Sequence, residues 1–222
     1  MSPQAEVPID GHCADGFDAV GREFAENFAS RGELGAAVCV VVDGRVVVDL
    51  WGGWEDVARR RPWRSDALVN VFSVGKGPAA LCAARLVGAG RLDVESPVAE
   101  YWPEFAAAGK ERVTVAELLS HQAGLPAVRR RLPAGAMLDH GLMCEALAGQ
   151  EPWWAPGTAH GYHTNTFGFL VGELFARIDG RSLGAALAED IADPLGAELF
   201  IGLPAALHDR VAEFHWPGEP PP

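Results

Sequence analysis

Apolar residues at Phe17, Val20, Phe24 and Phe28 recur at the spacing of one helix face, and Gly32 follows as a residue able to end that helix in the left-handed conformation. The period then changes. In GAAVCVVVDGRVVVDLW two β-branched runs flank Asp43-Gly44, a dipeptide suited to the positive φ values of a tight hairpin turn. Both runs are nearly all apolar, which predicts strands covered on both faces. Gly52-Gly53 ends the second run. A polar stretch from Glu55 to Asp66 leads through Leu68 to Phe72, where a helical pattern begins and runs to about Gly88. Pro78 requires that this helix start close by, because a proline deeper inside would break it.

Further along, Thr114 and Glu117 form a T-x-x-E capping box ahead of Leu118 and Leu119. The segment from Pro126 to Gly149 holds a short helix, and EPWWAPGTAHGY reads as a turn-rich loop. From Thr164 or Asn165, which can cap it, a helix carries Phe167, Leu170, Val171, Leu174, Phe175 and Ile178 on one face and closes at Gly180. A last helix, roughly residues 183–192, stops before Pro194, and PGEPPP reads as a linker or ragged end. The order is helix, hairpin, then a long helical stretch. This is an α+β layout with two evident strands. The divisions expected are a tail over 1–16, a domain over 17–204 and a Pro-rich tail or continuation over 205–222.

Composition narrows the function classes. The chain has 222 residues, 49% hydrophobic and 22% charged, which suits one good-sized globular domain. Its net charge of −12 argues against nucleic acid or an anionic membrane surface as partner. Arg59-Arg60-Arg61 and Arg129-Arg130-Arg131 are short and read as solvated faces. Cys13, Cys39, Cys82 and Cys144 form no CxxC; Cys39 in a strand and Cys82 in a helix are expected to be buried free thiols. The start, MSPQAEVPIDGHCADG, has neither a basic end nor an apolar run, so no signal peptide is expected there, and no run of about 20 apolar residues is present to span a membrane. A cytoplasmic location is the expectation.

The chain uses 16 arginines but only two lysines, Lys76 and Lys110. One of those lysines sits in FSVGKGPAA, three residues after Ser73, at a helix start. Residues at i and i+3 share a helix face. A serine hydroxyl needs a base to become a nucleophile; lysine can serve because burial lowers its pKa readily, whereas arginine stays charged. The alternative is that Ser73 is an ordinary N-cap and Lys76 a surface residue. Tyr162, one of two tyrosines, lies in PGTAHGYHTN just before a helix. A lysine ammonium beside that phenol would help hold it as phenolate, able to take the serine proton.

These segments together resemble the serine β-lactamase-related family. The resemblance is carried by Ser73-Val74-Gly75-Lys76, LVGAGRLDVESPVAEYWPEF, VTVAELLSHQAGLP, PGTAHGYHTNTFGFLVGEL and IADPLGAELFIGLP, over about residues 17–204. Within it the sequence is most similar to family VIII carboxylesterases and to hydrolases sharing the class C β-lactamase fold. The resemblance implies a β-lactamase/transpeptidase-like fold and catalytic roles for Ser73, Lys76 and Tyr162: the serine becomes acylated, and the other two manage protons. It implies that the Ser73 backbone N–H supplies half of an oxyanion hole. No metal or organic cofactor is implied, and the partner implied is a small-molecule ester or β-lactam.

Two departures stand out. Where the family often has Y-x-N, Thr164 occupies the third position and Asn165 follows, which tilts the reading toward esterase. No K-T-G or variant follows Tyr162, so the later sheet strands are expected to be absent from this chain, leaving it weakly active or inactive and leaving a sheet edge open to self-association. The other readings are a non-catalytic module of the same fold and a D-aminopeptidase or transpeptidase-like enzyme. His160 and His163 lack a neighbouring Cys, Asp or Glu set and make a weak metal pair, though His163 is a candidate to line the site. His121 reads as structural. Trp153 and Trp154 either wall an acyl pocket or pack the loop. No G-x-S-x-G elbow occurs, which argues against an α/β-hydrolase.

Overall fold

A computed structural model of the chain describes residues 7–215 and places them in two compact units, 7–70 with 203–215, and 71–202. The PGEPPP segment lies outside the described residues.

The first unit is a small sheet with one helix. Strands β1 (Ile9–Cys13), β2 (Gly35–Val42) and β3 (Arg45–Gly53) pair antiparallel in the order β1-β3-β2, and α1 (Asp18–Ser30) follows β1 in the chain. Asp43 and Gly44 join β2 to β3 with φ of 48° and 76°, as the hairpin reading required. Phe24 of α1 is buried with Val48 and Leu50 of β3, and the Phe24 and Phe28 rings meet edge to face at 5.2 Å. The strands are not covered on both faces within the unit. Val41, Val42 and Val46 are exposed, and so is Cys39, which is therefore not a buried thiol. One helix covers one face of a sheet, and α1 is the helix packed here.

Strand β1 is a correction to the expected tail over 1–16. Its sequence, IDGHC, has little β signal. It is ordered by pairing Ile9 through Cys13 with residues 48–52 of β3, so β3 is the central strand. Residues 205–210 likewise form a 3₁₀ turn, and Val211 bridges Leu68.

The second unit is helical. Around its core lie α2 (Lys76–Gly88), α3 (Val98–Tyr101), α4 (Val115–Leu119), α5 (His140–Gly149), α6 (Thr166–Asp179), α7 (Leu183–Leu187) and α8 (Asp193–Leu195). Ala79, Cys82, Ala83 and Leu86 of α2 pack with Phe167, Leu170, Val171, Leu174 and Phe175 of α6 in one buried cluster. Both bonds of the Thr114–Glu117 capping box form. Gly180 closes α6 with φ of 85°. The last helix does not stop before Pro194. It passes through a π-type turn, Ala188–Ala192, into α8 and ends at Gly196. Pro194 falls in the first turn of α8 and has no N–H to give the preceding turn; the Asp190 carbonyl instead accepts from Arg85 Nη1 at 2.6 Å. Among the described residues no helix is long and apolar enough to cross a membrane.

The second lysine is structural. Lys110 is fully buried, and its Nζ donates to the carbonyls of Ala107 at 2.6 Å and Gln150 at 2.5 Å. Burial pulls it from the usual 10.5 down to about 8. Between those values the unfolded chain still holds a proton that the folded chain has released, so the group's contribution to stability rises with pH there. Below about 8 the cost of burying the charge is present in full. Denaturant melts of wild type and Lys110→Met are expected to show wild type gaining on the variant by about 2 kcal/mol between roughly pH 7 and pH 10. A pH-independent difference would remove the charge argument.

Candidate active site

Ser73 lies in a single 3₁₀ turn, Phe72–Gly75, that runs straight into α2. The residue before it, Phe72, holds φ of 47°, a left-handed conformation costly for a bulky side chain. Backbone strain of this kind concentrates at functional positions. The N-cap alternative for Ser73 fails on geometry. The cap position of α2 is Gly75, with no side-chain cap bond, and the Ser73 hydroxyl is engaged elsewhere.

That engagement is with Lys76. Its Nζ donates to Ser73 Oγ at 3.1 Å and to the Thr164 carbonyl at 2.8 Å. The amine also lies 4.8 Å from the centroid of the Tyr162 ring and 5.8 Å from that of Phe167. One lysine thus ties the start of α2 to the loop that carries Tyr162. The neighbouring Ser73 hydroxyl and Lys76 amine hold the Tyr162 phenol below its usual value of about 10. The structure therefore brings the three sequence candidates together. Ser73 and Tyr162 are exposed, so an acyl group can reach them from solvent, and Val71, Phe72 and Val74 offer apolar surface beside the serine.

The Thr164–Asn165 reading is corrected. Neither side chain caps α6: Asn165 occupies the cap position without a side-chain bond. Thr164 serves through its backbone, since the carbonyl is aimed at Lys76. A main-chain acceptor is set by the path of the loop and has no residue signature.

Histidines build the floor of the loop. His121, with φ of 63°, places its ring 4.8 Å from Tyr162, 5.0 Å from Phe167 and 5.4 Å from His163, centroid to centroid. Its Nδ1 accepts the His163 backbone N–H at 3.2 Å. Burial, together with the charges of His163, His160 and Lys76, lowers its pKa, which favours the neutral ring beside the lysine. His163 does not line the site. It is fully buried, with Nε2 accepting from Leu125 N–H at 2.9 Å and Nδ1 2.6 Å from the Gly161 carbonyl. Both ring nitrogens are committed to the backbone, so the ring is structural. Gly161 must lack a side chain, because a Cβ there would overlap the Trp154 ring. Trp153 packs the loop: its indole N–H donates to Ala127 O at 2.9 Å, and the Arg129 guanidinium lies 4.2 Å from its ring centroid.

The family model described as Beta-lactamase matches residues 20–222. The chain belongs to the beta-lactamase family. Among curated members, it is 40% identical over 217 residues to the Esterase/beta-lactamase LipL of Mycobacterium tuberculosis, covering 97% of this chain and 50% of LipL. Among solved structures, a penicillin-binding protein homolog from Caulobacter crescentus superposes with TM-score 0.92 at 48% identity, over 97% of this chain and 58% of that one. A family VIII carboxylesterase superposes with TM-score 0.88, also at 48% identity, over 94% and 57%. This family member spans about half the length of the relatives it matches.

Proposed function

We propose that this chain carries the acylating centre of a serine hydrolase acting on small carboxylic esters, with β-lactam acylation as an incidental activity. The observation that carries the reading is Lys76 Nζ within hydrogen-bond reach of Ser73 Oγ beside a phenol whose pKa is lowered by both. In the proposed step the Ser73 Oγ–acyl carbon bond forms and the ester C–O bond breaks. The serine proton passes to Tyr162, and the Lys76 amine relays it to the departing alkoxide. Water then reverses the sequence and frees the acid. The likeness to the esterase/beta-lactamase LipL and to the family VIII carboxylesterase supports an ester substrate.

The testing experiment offers the folded chain three substrates: a p-nitrophenyl ester of a short acid, a chromogenic cephalosporin and a D-alanyl peptide. The expected order of kcat/KM puts the ester first. Preference for the peptide would replace the esterase reading with a peptidase one. No burst or turnover with any of the three would favour a non-catalytic module.

Tyr162→Phe tests the proton path. It is expected to slow acylation by about 10²-fold. Because the working form is the deprotonated phenol, the wild-type rate should rise with pH and level off below the ordinary phenol range, and the variant should lose that limb. A rising limb unchanged in Tyr162→Phe would assign the base elsewhere.

A further inference from the structure

A second cluster of reactive side chains lies outside the acylating centre. His140 and Cys144 sit four residues apart on one face of α5, and Glu173 faces them from α6. Glu173 is six residues beyond Phe167, or about 9 Å further along the helix axis. We propose that His140 Nε2, Cys144 Sγ and a Glu173 carboxylate oxygen form a binding site for a zinc-type divalent cation that clips α5 to α6.

The geometry carries the proposal. Zinc binds imidazole nitrogen and carboxylate oxygen at about 2.0–2.2 Å and thiolate at about 2.3 Å in a tetrahedron, so neighbouring donors should stand about 3.3–3.7 Å apart. Here Cys144 Sγ is 3.4 Å from His140 Nε2, and His140 Nε2 is 3.4 Å from Glu173 Oε2. All three donor atoms lie within 4.8 Å of one another, so rotation of the carboxylate can close the remaining edge. Three protein ligands leave a fourth position for water.

The surroundings fit a ligand set as well. Glu173 Oε1 accepts from Arg177 Nε at 2.7 Å, which fixes the carboxylate and leaves Oε2 turned to the histidine. Arg177 is held in turn by Glu104 at 2.8 Å. Such outer contacts orient metal ligands. Cys144 is buried while His140 is half-exposed, so the cluster has a soft donor inside and an access route from solvent. A mixed sulfur, nitrogen and oxygen set selects zinc-like ions over calcium or magnesium. On binding, the thiol gives its proton to solvent and the thiolate bonds the cation.

Cobalt(II) is the probe, added to the full 222-residue chain under reducing conditions. The expected result is one equivalent bound, with a thiolate-to-cobalt charge-transfer band, intense four-coordinate d–d bands, and displacement by zinc. Cys144→Ser should lose the charge-transfer band. His140→Ala, at a half-exposed position that should not disturb folding, should weaken binding by about 100-fold or more. Cys39→Ser, which removes an exposed thiol, should change nothing. The proposal is overturned by no charge-transfer band in the wild type, by a band that survives Cys144→Ser, by a band lost in Cys39→Ser, or by unaltered affinity in His140→Ala.

Discussion

Ser73→Ala is expected to bring hydrolysis of a p-nitrophenyl ester down to the buffer rate, a loss of about 10⁴-fold or more in the acylation step. The substitution removes the protein atom that the proposed chemistry bonds to the acyl carbon. It should cost little stability. Ser73 is exposed and does not cap α2, so its thermal transition should stay within about 0.5 kcal/mol of wild type. That separation matters, because an inactive variant that has also unfolded says nothing about chemistry. Melts followed by circular dichroism beside the ester assay supply both readings. Ester turnover retained by folded Ser73→Ala would mean that another group attacks.

Lys76→Arg is the second large effect, and it separates two roles for the lysine. If Lys76 only supplied positive charge near Ser73 and Tyr162, arginine would serve, since it keeps the charge and can still donate to the Thr164 carbonyl. If the amine takes part in moving the proton, arginine fails, because it does not deprotonate in proteins. The proposed mechanism predicts a loss of about 10²–10⁴-fold, the range for a displaced general acid–base group, with Lys76→Ala at least as slow. Rates of phosphonylation by a fluorophosphonate measure this step alone. A Lys76→Arg rate within about threefold of wild type would reduce the lysine to an electrostatic partner of Tyr162.

Much of this site was legible because its signals are local. The S-x-x-K spacing needs only one helix turn to bring amine to hydroxyl, and the structure gives 3.1 Å. The Asp43-Gly44 turn, the Thr114–Glu117 box and the apolar face of α6 closed by Gly180 are local in the same sense. What escaped depends on distant pairing. β1 has a poor strand sequence and exists because β3 offers it an edge. The Lys76–Thr164 bond joins residues 88 apart through a backbone carbonyl. Nothing in the residue types at Phe72 or His121 announces their positive φ. Lys76 stood out by its spacing from Ser73, whereas nothing around Lys110 announced its burial against two carbonyls. Burial is a tertiary property, and each lysine's neighbours decided its role.

The central claim is that Ser73 is a primed nucleophile. Its most direct test is the intact mass of the folded chain after incubation with a fluorophosphonate, followed by peptide mapping of the adduct. The account predicts a single adduct on Ser73, formed at a rate that falls in Lys76→Arg and Tyr162→Phe. No adduct on a folded, monodisperse chain, or an adduct mapped to another residue, would contradict it.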